Sequence, residues 1–249
     1  MVEHVAVIMP ALDEEHAIRG TLEELLAVTV PVGGPGSTLA PPRSVAIQQL
    51  IVVDNGSSDR TAAVARELGA EVVSEPRRGY GNACLAGIAT LLPEITTVVF
   101  LDADGSDDPR DLSRLLEPIE RGQAEMVLAS RVMGQRELGA LSRHQQFGNA
   151  LATKLMRMIV GARYTDLGPF RAIRREALER LKMRDPNYGW TIEMQIKAKR
   201  EGLRVREIPV NYRRRRAGKS KVSGSLRGSV LAGGKILWTI ARHAIRPSP

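Results

Sequence analysis

Asp102-Ala103-Asp104 directly follows the apolar run Val98-Val99-Phe100-Leu101. If the chain stays extended past Leu101, both side chains project to the same side and offer a pair of hard oxygen donors. Such a pair suits Mg2+ or Mn2+, whose shell is commonly completed by substrate phosphates and water. On a solvated loop the same pair would be an ordinary acidic turn; its place at the end of a strand is what favours a metal. Two further apolar runs, Val5–Met9 and Leu50–Val53, end in Asp13-Glu14 and Asp54. Carboxylates gathered in one crevice repel each other unless a cation, or donors such as ribose hydroxyls, stands between them.

The opposite charge lies in the other half. Residues 1–120 hold 8 Lys+Arg and 19 Asp+Glu, a net of −11, whereas residues 121–249 hold 28 and 9, a net of +19. A basic half suits anions: phosphate esters, nucleic acid or an anionic membrane. Arg131 follows a predicted strand end. Arg143 opens a predicted helix, where unpaired N–H groups also favour an anion. Arginine grips phosphate through two parallel hydrogen bonds. The run Arg213–Arg216 follows Val210-Asn211-Tyr212 in a predicted strand, so at most two of the four can face one site and the others are expected in solvent. A nucleic-acid reading of this run is disfavoured by an aromatic content of 4%, which leaves little to stack on bases.

Short strands alternating with helices must position these groups. Strands are expected at Val5–Met9, Leu50–Val53, Glu71–Val73, Val98–Leu101 and Met126–Ala129. Helices are expected at about Glu14–Val28, from a cap at Asp59 to Leu68, Asn82–Leu92 and Pro109–Arg121. This alternation predicts an α/β fold, a mostly parallel sheet with helices on both faces and the ligand crevice at the carboxyl ends of the strands. Phe147, Leu151, Leu155, Met158 and Ile159 recur at helical spacing, so residues 143–160 are expected to form an amphipathic helix. Beyond them, strands are expected at Pro169–Ile173 and Leu203–Arg216, with a helix at Thr191–Glu201 between. The Gly/Pro-rich stretch 31–44 reads as a surface insertion, and Ser229–Arg246 as an amphipathic basic segment that could pack on the core or lie on anionic lipid.

Several classes drop out. No apolar run approaches the roughly 20 residues of a membrane span, so membrane contact is expected to be peripheral. One cysteine, Cys84, cannot form an internal disulfide, and the four scattered histidines do not suggest zinc, which points to a reducing, cytoplasmic setting. Cys84 is expected in the core, and Glu193 in an ion pair with a nearby arginine. Gly79-Tyr80-Gly81-Asn82 lacks the third glycine of a dinucleotide fingerprint and follows the wrong strand. A nucleotidyltransferase would be expected to open with a Gly-rich loop, and Pro10-Ala11-Leu12-Asp13-Glu14 has no glycine.

Pro10–Glu14, Val52-Val53-Asp54-Asn55-Gly56-Ser57-Ser58-Asp59 and Leu101–Asp104 resemble, in order and spacing, the nucleotide-sugar half of family 2 glycosyltransferases with the GT-A (Rossmann-like) fold. Ser130-Arg131, Asp166-Leu167-Gly168-Pro169-Phe170-Arg171 and Arg215-Arg216-Ala217-Gly218-Lys219-Ser220-Lys221 resemble the polyprenyl-phosphate (dolichyl-phosphate) mannosyl- and glucosyltransferase branch. The resemblance covers nearly the whole chain except the insertion and implies one GT-A domain over residues 1–222, acidic to about residue 130 and basic after it, followed by the tail 223–249. It implies that Pro10, Leu12, Glu14, Val52 and Asp54 line the base and ribose pocket, with Gly79 near the nucleotide. Leu101, Asp102, Ala103 and Asp104 would hold the sugar nucleotide and its metal. Arg131, Arg143 and Asp166 fall on the acceptor side, and Arg215 and Lys221 would bind phosphate. Leu12 stands where many relatives have Tyr, leaving UDP or GDP open, and Ser106 stands at the third metal-ligand position, where they often have Gln. The implied activity is inverting transfer of a hexose from a nucleotide diphosphate sugar to a polyprenyl phosphate. A phosphate acceptor, with a second pKa of about 6, is largely a dianion at neutral pH and needs no general base; a soluble hydroxyl acceptor would need one, and Asp166 is then the candidate.

Overall fold

Unbroken apolar runs become the middle of the sheet. In β1 (Val5–Ala11), Val5, Val7, Met9 and Ala11 face one hydrophobic core while Ala6 and Ile8 face another. This two-sided burial is what such runs encode when helices cover both faces. The computed structural model describes residues 4–29 and 46–218, together with Gly234, Lys235, Trp238, Thr239 and Arg242. Its other strands are β2 (Ile47–Asp54), β3 (Glu71–Ser74), β4 (Thr97–Phe100), β5 (Met126–Ser130), β6 (Arg171–Arg174) and β7 (Val205–Pro209), in the order β3-β2-β1-β4-β6-β5-β7. All run parallel except β6, which is antiparallel to both of its neighbours. Helices α1 (Glu15–Thr29), α2 (Thr61–Glu67) and α4 (Leu112–Glu120) pack on the first core. α3 (Tyr80–Ala89), α6 (Arg175–Leu181) and α7 (Trp190–Arg200) pack on the second, which contains Cys84. The α/β architecture is the one expected.

Three local expectations change. A short helix, α6, follows β6 directly. The cap before α2 falls at Arg60 rather than Asp59, whose carboxylate instead accepts the Thr61 N–H at 2.9 Å. The last strand ends at Pro209, so Arg213–Arg216 are not in a strand: there the Asn211 N–H goes to the Asp111 carboxylate, the Arg213 N–H to the Ser106 carbonyl and the Arg216 N–H to the Asp104 carbonyl. These bonds lay residues 211–216 over the acidic loop instead of extending the sheet. The insertion 31–44, Lys221 and most of 223–249 lie outside the described residues. Of the last, Lys235 pairs with Asp185 at 3.1 Å and Thr239 is buried.

Gly81, inside α3, allows that helix to meet the turn before α7. A Cβ there would stand 2.7 Å from the Pro186 carbonyl carbon, 2.9 Å from the Asn187 nitrogen and closer still to the Asp185 oxygen. These are backbone atoms that cannot rotate aside. Gly81→Ala is therefore expected to lower unfolding free energy by about 1–3 kcal/mol in urea titration, despite alanine's higher helix propensity. An unchanged or raised midpoint would show that the two segments are free to separate.

Candidate active site

The turn after β1 is tied to the turn after β2. Asp13 takes a left-handed conformation (φ 50°), its N–H donates to Ser57 Oγ at 3.0 Å, and its carboxylate accepts the Ser58 N–H at 2.8 Å. The Glu14 N–H donates to Thr61 Oγ1 at 2.7 Å. Asn55 extends the stitching: its amide donates to the carbonyls of Glu75 and Arg77, and its Oδ1 accepts the Gly79 N–H at 2.7 Å. Pro10, Leu12, Glu14, Asn55, Arg78 and Gly79 thereby line one end of a cavity of about 630 Å³ at the carboxyl ends of the parallel strands.

The centre of that cavity is acidic. Asp102, Ala103, Asp104 and Ser106 line it. Asp104 accepts the Ser106 N–H at 2.8 Å and meets Arg215 Nη1 at 3.2 Å; both terminal nitrogens of Arg215 also reach Glu14 Oε1 at 2.8 Å. Asp102 Oδ1 is buried without a hydrogen-bond partner, as are both carboxylate oxygens of Asp107. Burial, and then the charge of Asp104, push the Asp102 carboxyl up to about 7. Burial and the charges of Asp102 and Asp104 raise Asp107 as well. Arg215 pairs with Asp104 and Glu14, and the charge of Arg131 also bears on Asp102 and Asp107, but Arg131 is itself paired with Asp166; hard oxygens with buried, unpaired lone pairs fit a divalent cation. Asp102 and Asp104 are the residues that would hold it.

Arg131 also lines the cavity. Its Nε and Nη2 form a fork with both oxygens of Asp166, at 2.8 and 2.7 Å, and its backbone N–H adds a third bond at 2.7 Å. Its guanidinium also stacks 5.0 Å from the centre of the Tyr212 ring. Side-chain exposure is 13% for Arg131 and 1% for Asp166, so the pair is fixed and the arginine alone reaches the cavity. Burial acts to raise the Asp166 pKa, but the hydrogen bonds and charge of Arg131 outweigh it and hold the carboxyl below its ordinary range.

Pro10, Leu12, Glu14, Gly79, Asp102, Ala103, Asp104, Ser106, Arg131 and Arg215 thus come together from distant parts of the chain. Val52 and Leu101 do not reach the cavity, because their side chains are buried in the first core. Asp54 is spent on its own turn, accepting the Ser57 N–H at 3.0 Å. Arg143 stands exposed at the start of α5 (Arg143–Val160), and Gln145 lines the cavity from that turn instead. Arg213 and Arg216 are not solvated as expected but pair with Glu24 on α1. Glu193 pairs with Lys197 rather than an arginine. Tyr80, Asn187, Tyr188 and Tyr212 line the cavity without having been singled out. Tyr80 and Asn55 stood inside motifs already noticed, whereas Tyr188 and Tyr212 carried no local signal.

The family model for glycosyl transferase family 2 matches residues 6–182. The chain belongs to glycosyl transferase family 2. It is a glycosyltransferase, and its sheet has the GT-A form. Among family 2 relatives, a dolichyl-phosphate hexose transferase of Haloferax volcanii is 30% identical over 92% of this chain and 91% of its own length. The polyprenol monophosphomannose synthase of Mycolicibacterium smegmatis is 32% identical over 71% of each chain. A crystal structure of glucosyl-3-phosphoglycerate synthase from Mycobacterium tuberculosis, in complex with Mn2+, UDP and glucosyl-3-phosphoglycerate, superposes with a TM-score of 0.74. It shares 23% identity, over 99% of this chain and 81% of that one. Among the described residues no helix is long and apolar enough to cross a membrane.

Proposed function

We propose that this family 2 enzyme transfers a hexose from a nucleotide diphosphate sugar to a polyprenyl phosphate, with inversion at the anomeric carbon. One observation carries the reading: a buried guanidinium, Arg131, is clamped by Asp166 and lines the same cavity as Asp102 and Asp104. The cavity has a fixed cation for an acceptor anion and an acidic centre for a donor's metal. Two relatives named for polyprenol or dolichyl phosphate chemistry support the same acceptor class.

Pro10, Leu12 and Glu14 would face the nucleoside, with Gly79 nearby. Asp102 and Asp104 would hold Mg2+ or Mn2+, with Ser106 on the same wall. A divalent ion there would offset charge on the leaving diphosphate. Arg215, already beside Asp104, adds a second positive charge as the anomeric C–O bond to the diphosphate breaks. Lys221, outside the described residues, is assigned to the same task on its motif alone. An acceptor phosphate oxygen forms the new bond from the opposite face, held by Arg131. Asp166 gives both oxygens to Arg131 and would make a poor base, which weighs against a hydroxyl acceptor.

Transfer from labelled UDP- and GDP-hexoses to a short-chain polyprenyl phosphate in detergent, compared with phosphoglycerate and free sugars, tests the reading. The expected result is Mn2+- or Mg2+-dependent product with the polyprenyl phosphate, and a rate that follows ionisation of the acceptor near pH 6. Product only with phosphoglycerate would move the enzyme to soluble phosphorylated acceptors, and product only with free sugars would restore the need for a base.

A further inference from the structure

The exposed side of α5 is apolar. Only Ala152, Thr153 and Met156 of this 18-residue helix are buried, and Ala152 and Met156 share a cluster with Ile192 and Ile196 of α7. On the opposite side Phe147 is 70% exposed, Leu151 39% and Met158 71%. At 3.6 residues per turn these three fall within about 40° of one another, a strip roughly 16 Å long. Leu138, in the loop that leads from Arg131 to α5, is 88% exposed. Isolated exposed apolar residues mean little, but large ones aligned on a single helix face call for a partner.

The charges around the strip say which partner. From Leu138 to Thr165 the chain contains no Asp or Glu, while Arg143, Lys154, Arg157 and Arg163 contribute four cations. Arg143 and Lys154 fall within about 40° of Phe147 on the helix surface, so their stems can follow the apolar strip while their charges reach outward. A second copy of this face would bring cation against cation. An apolar strip edged with cations fits a bilayer whose surface carries anionic headgroups. Gln145, in the first turn of the same helix, lines the cavity from the face opposite the strip, so the strip begins within one turn of the cavity that Arg131 lines.

We propose that α5 is the membrane-docking surface of this enzyme, its Phe147, Leu151 and Met158 face entering the headgroup region of an anionic bilayer. Docking in this way keeps the tail of a polyprenyl phosphate in the lipid while its phosphate reaches Arg131. This purpose rests on the proposed acceptor; the docking surface itself does not.

Flotation of the full chain with vesicles of phosphatidylcholine, with and without phosphatidylglycerol, tests it. The chain is expected to float with the anionic vesicles and to be released by salt. The triple variant Phe147→Glu, Leu151→Glu, Met158→Glu is expected to lose about tenfold or more of that binding. Its circular dichroism and its transfer to a short-chain acceptor in detergent should be retained, since all three positions are exposed. A wild-type chain that ignores anionic vesicles, or a triple variant that floats as well as the wild type, overturns the proposal. So does a triple variant that turns a dimer into a monomer without changing flotation, which would make the strip a self-association face. If the wild type floats, the triple variant does not, and neither transfers to polyprenyl phosphate, the docking surface stands and the acceptor assignment fails.

Discussion

Asp104→Asn is expected to lower kcat for hexose transfer by about 10³, or about 4 kcal/mol in barrier height, with little loss of stability. The substitution keeps shape and the bond from the Ser106 N–H, but removes the charge that would hold the metal against the leaving diphosphate. Asp104 is only partly buried, so the fold does not depend on that charge. The checks are kcat at saturating donor and the thermal shift that Mn2+ adds to UDP or GDP, which should disappear. Activity within tenfold of the wild type would mean that Asp104 holds no metal. Arg215→Gln separates the two positive charges: with Asp104 intact, the metal-dependent shift should persist while donor affinity falls.

Asp166→Asn should cost about 3–5 kcal/mol of folding stability, because it leaves the buried guanidinium of Arg131 without a counter-charge. The loss should be read from the urea midpoint, together with a rise in KM for the acceptor as Arg131 loses its orientation. Asp166 thus acts as a positioning residue. Its pKa is depressed in the folded state, so the stability it contributes is complete above about pH 4, the unfolded carboxylate value, and is lost as pH falls through the lower folded value. The gap between wild type and Asp166→Asn should therefore narrow only on acidification below pH ~4. A double variant, Arg131→Met with Asp166→Leu, removes both charges and is expected to recover much of the stability while transfer stays low. Recovery of transfer as well would show that Arg131 has no part in binding the acceptor.

The residues proposed for the donor were largely legible in the chain. Apolar runs mark parallel strands, and the residues after each run fall at the carboxyl edge of the sheet, so Asp13, Glu14, Asp54, Asp102 and Asp104 could be assigned to one crevice before any contact was known; Glu14, Asp102 and Asp104 line the cavity, whereas Asp13 and Asp54 are bonded to the turn after β2. That inference needs only the local pattern and the rule for open α/β sheets. The family resemblance also pointed to Val52 and Leu101, whose side chains are buried in the first core, because a motif does not say which side of the strand end a residue takes. Arg131 and Asp166, proposed for the acceptor, were named by the resemblance, but their meeting depended on pairings that no local pattern contains. β6 enters between β4 and β5 antiparallel to both, with Arg171 opposite Phe100 at the carboxyl end of β4 and opposite Leu128 in the middle of β5. The residues just before β6 are therefore delivered to the crevice rather than to the far edge, and Asp166 meets Arg131 from 35 positions away. Tyr212 reaches the cavity because residues 211–216 bond to the acidic loop once β7 has ended. Periodicity likewise predicted that α5 is amphipathic, but not that Ala152, Thr153 and Met156 face the core while Phe147, Leu151 and Met158 face solvent. Short-range order follows from side-chain type and spacing, whereas strand direction, register and the choice of buried face follow from which distant surfaces pack together, and that is decided only when the whole chain has folded.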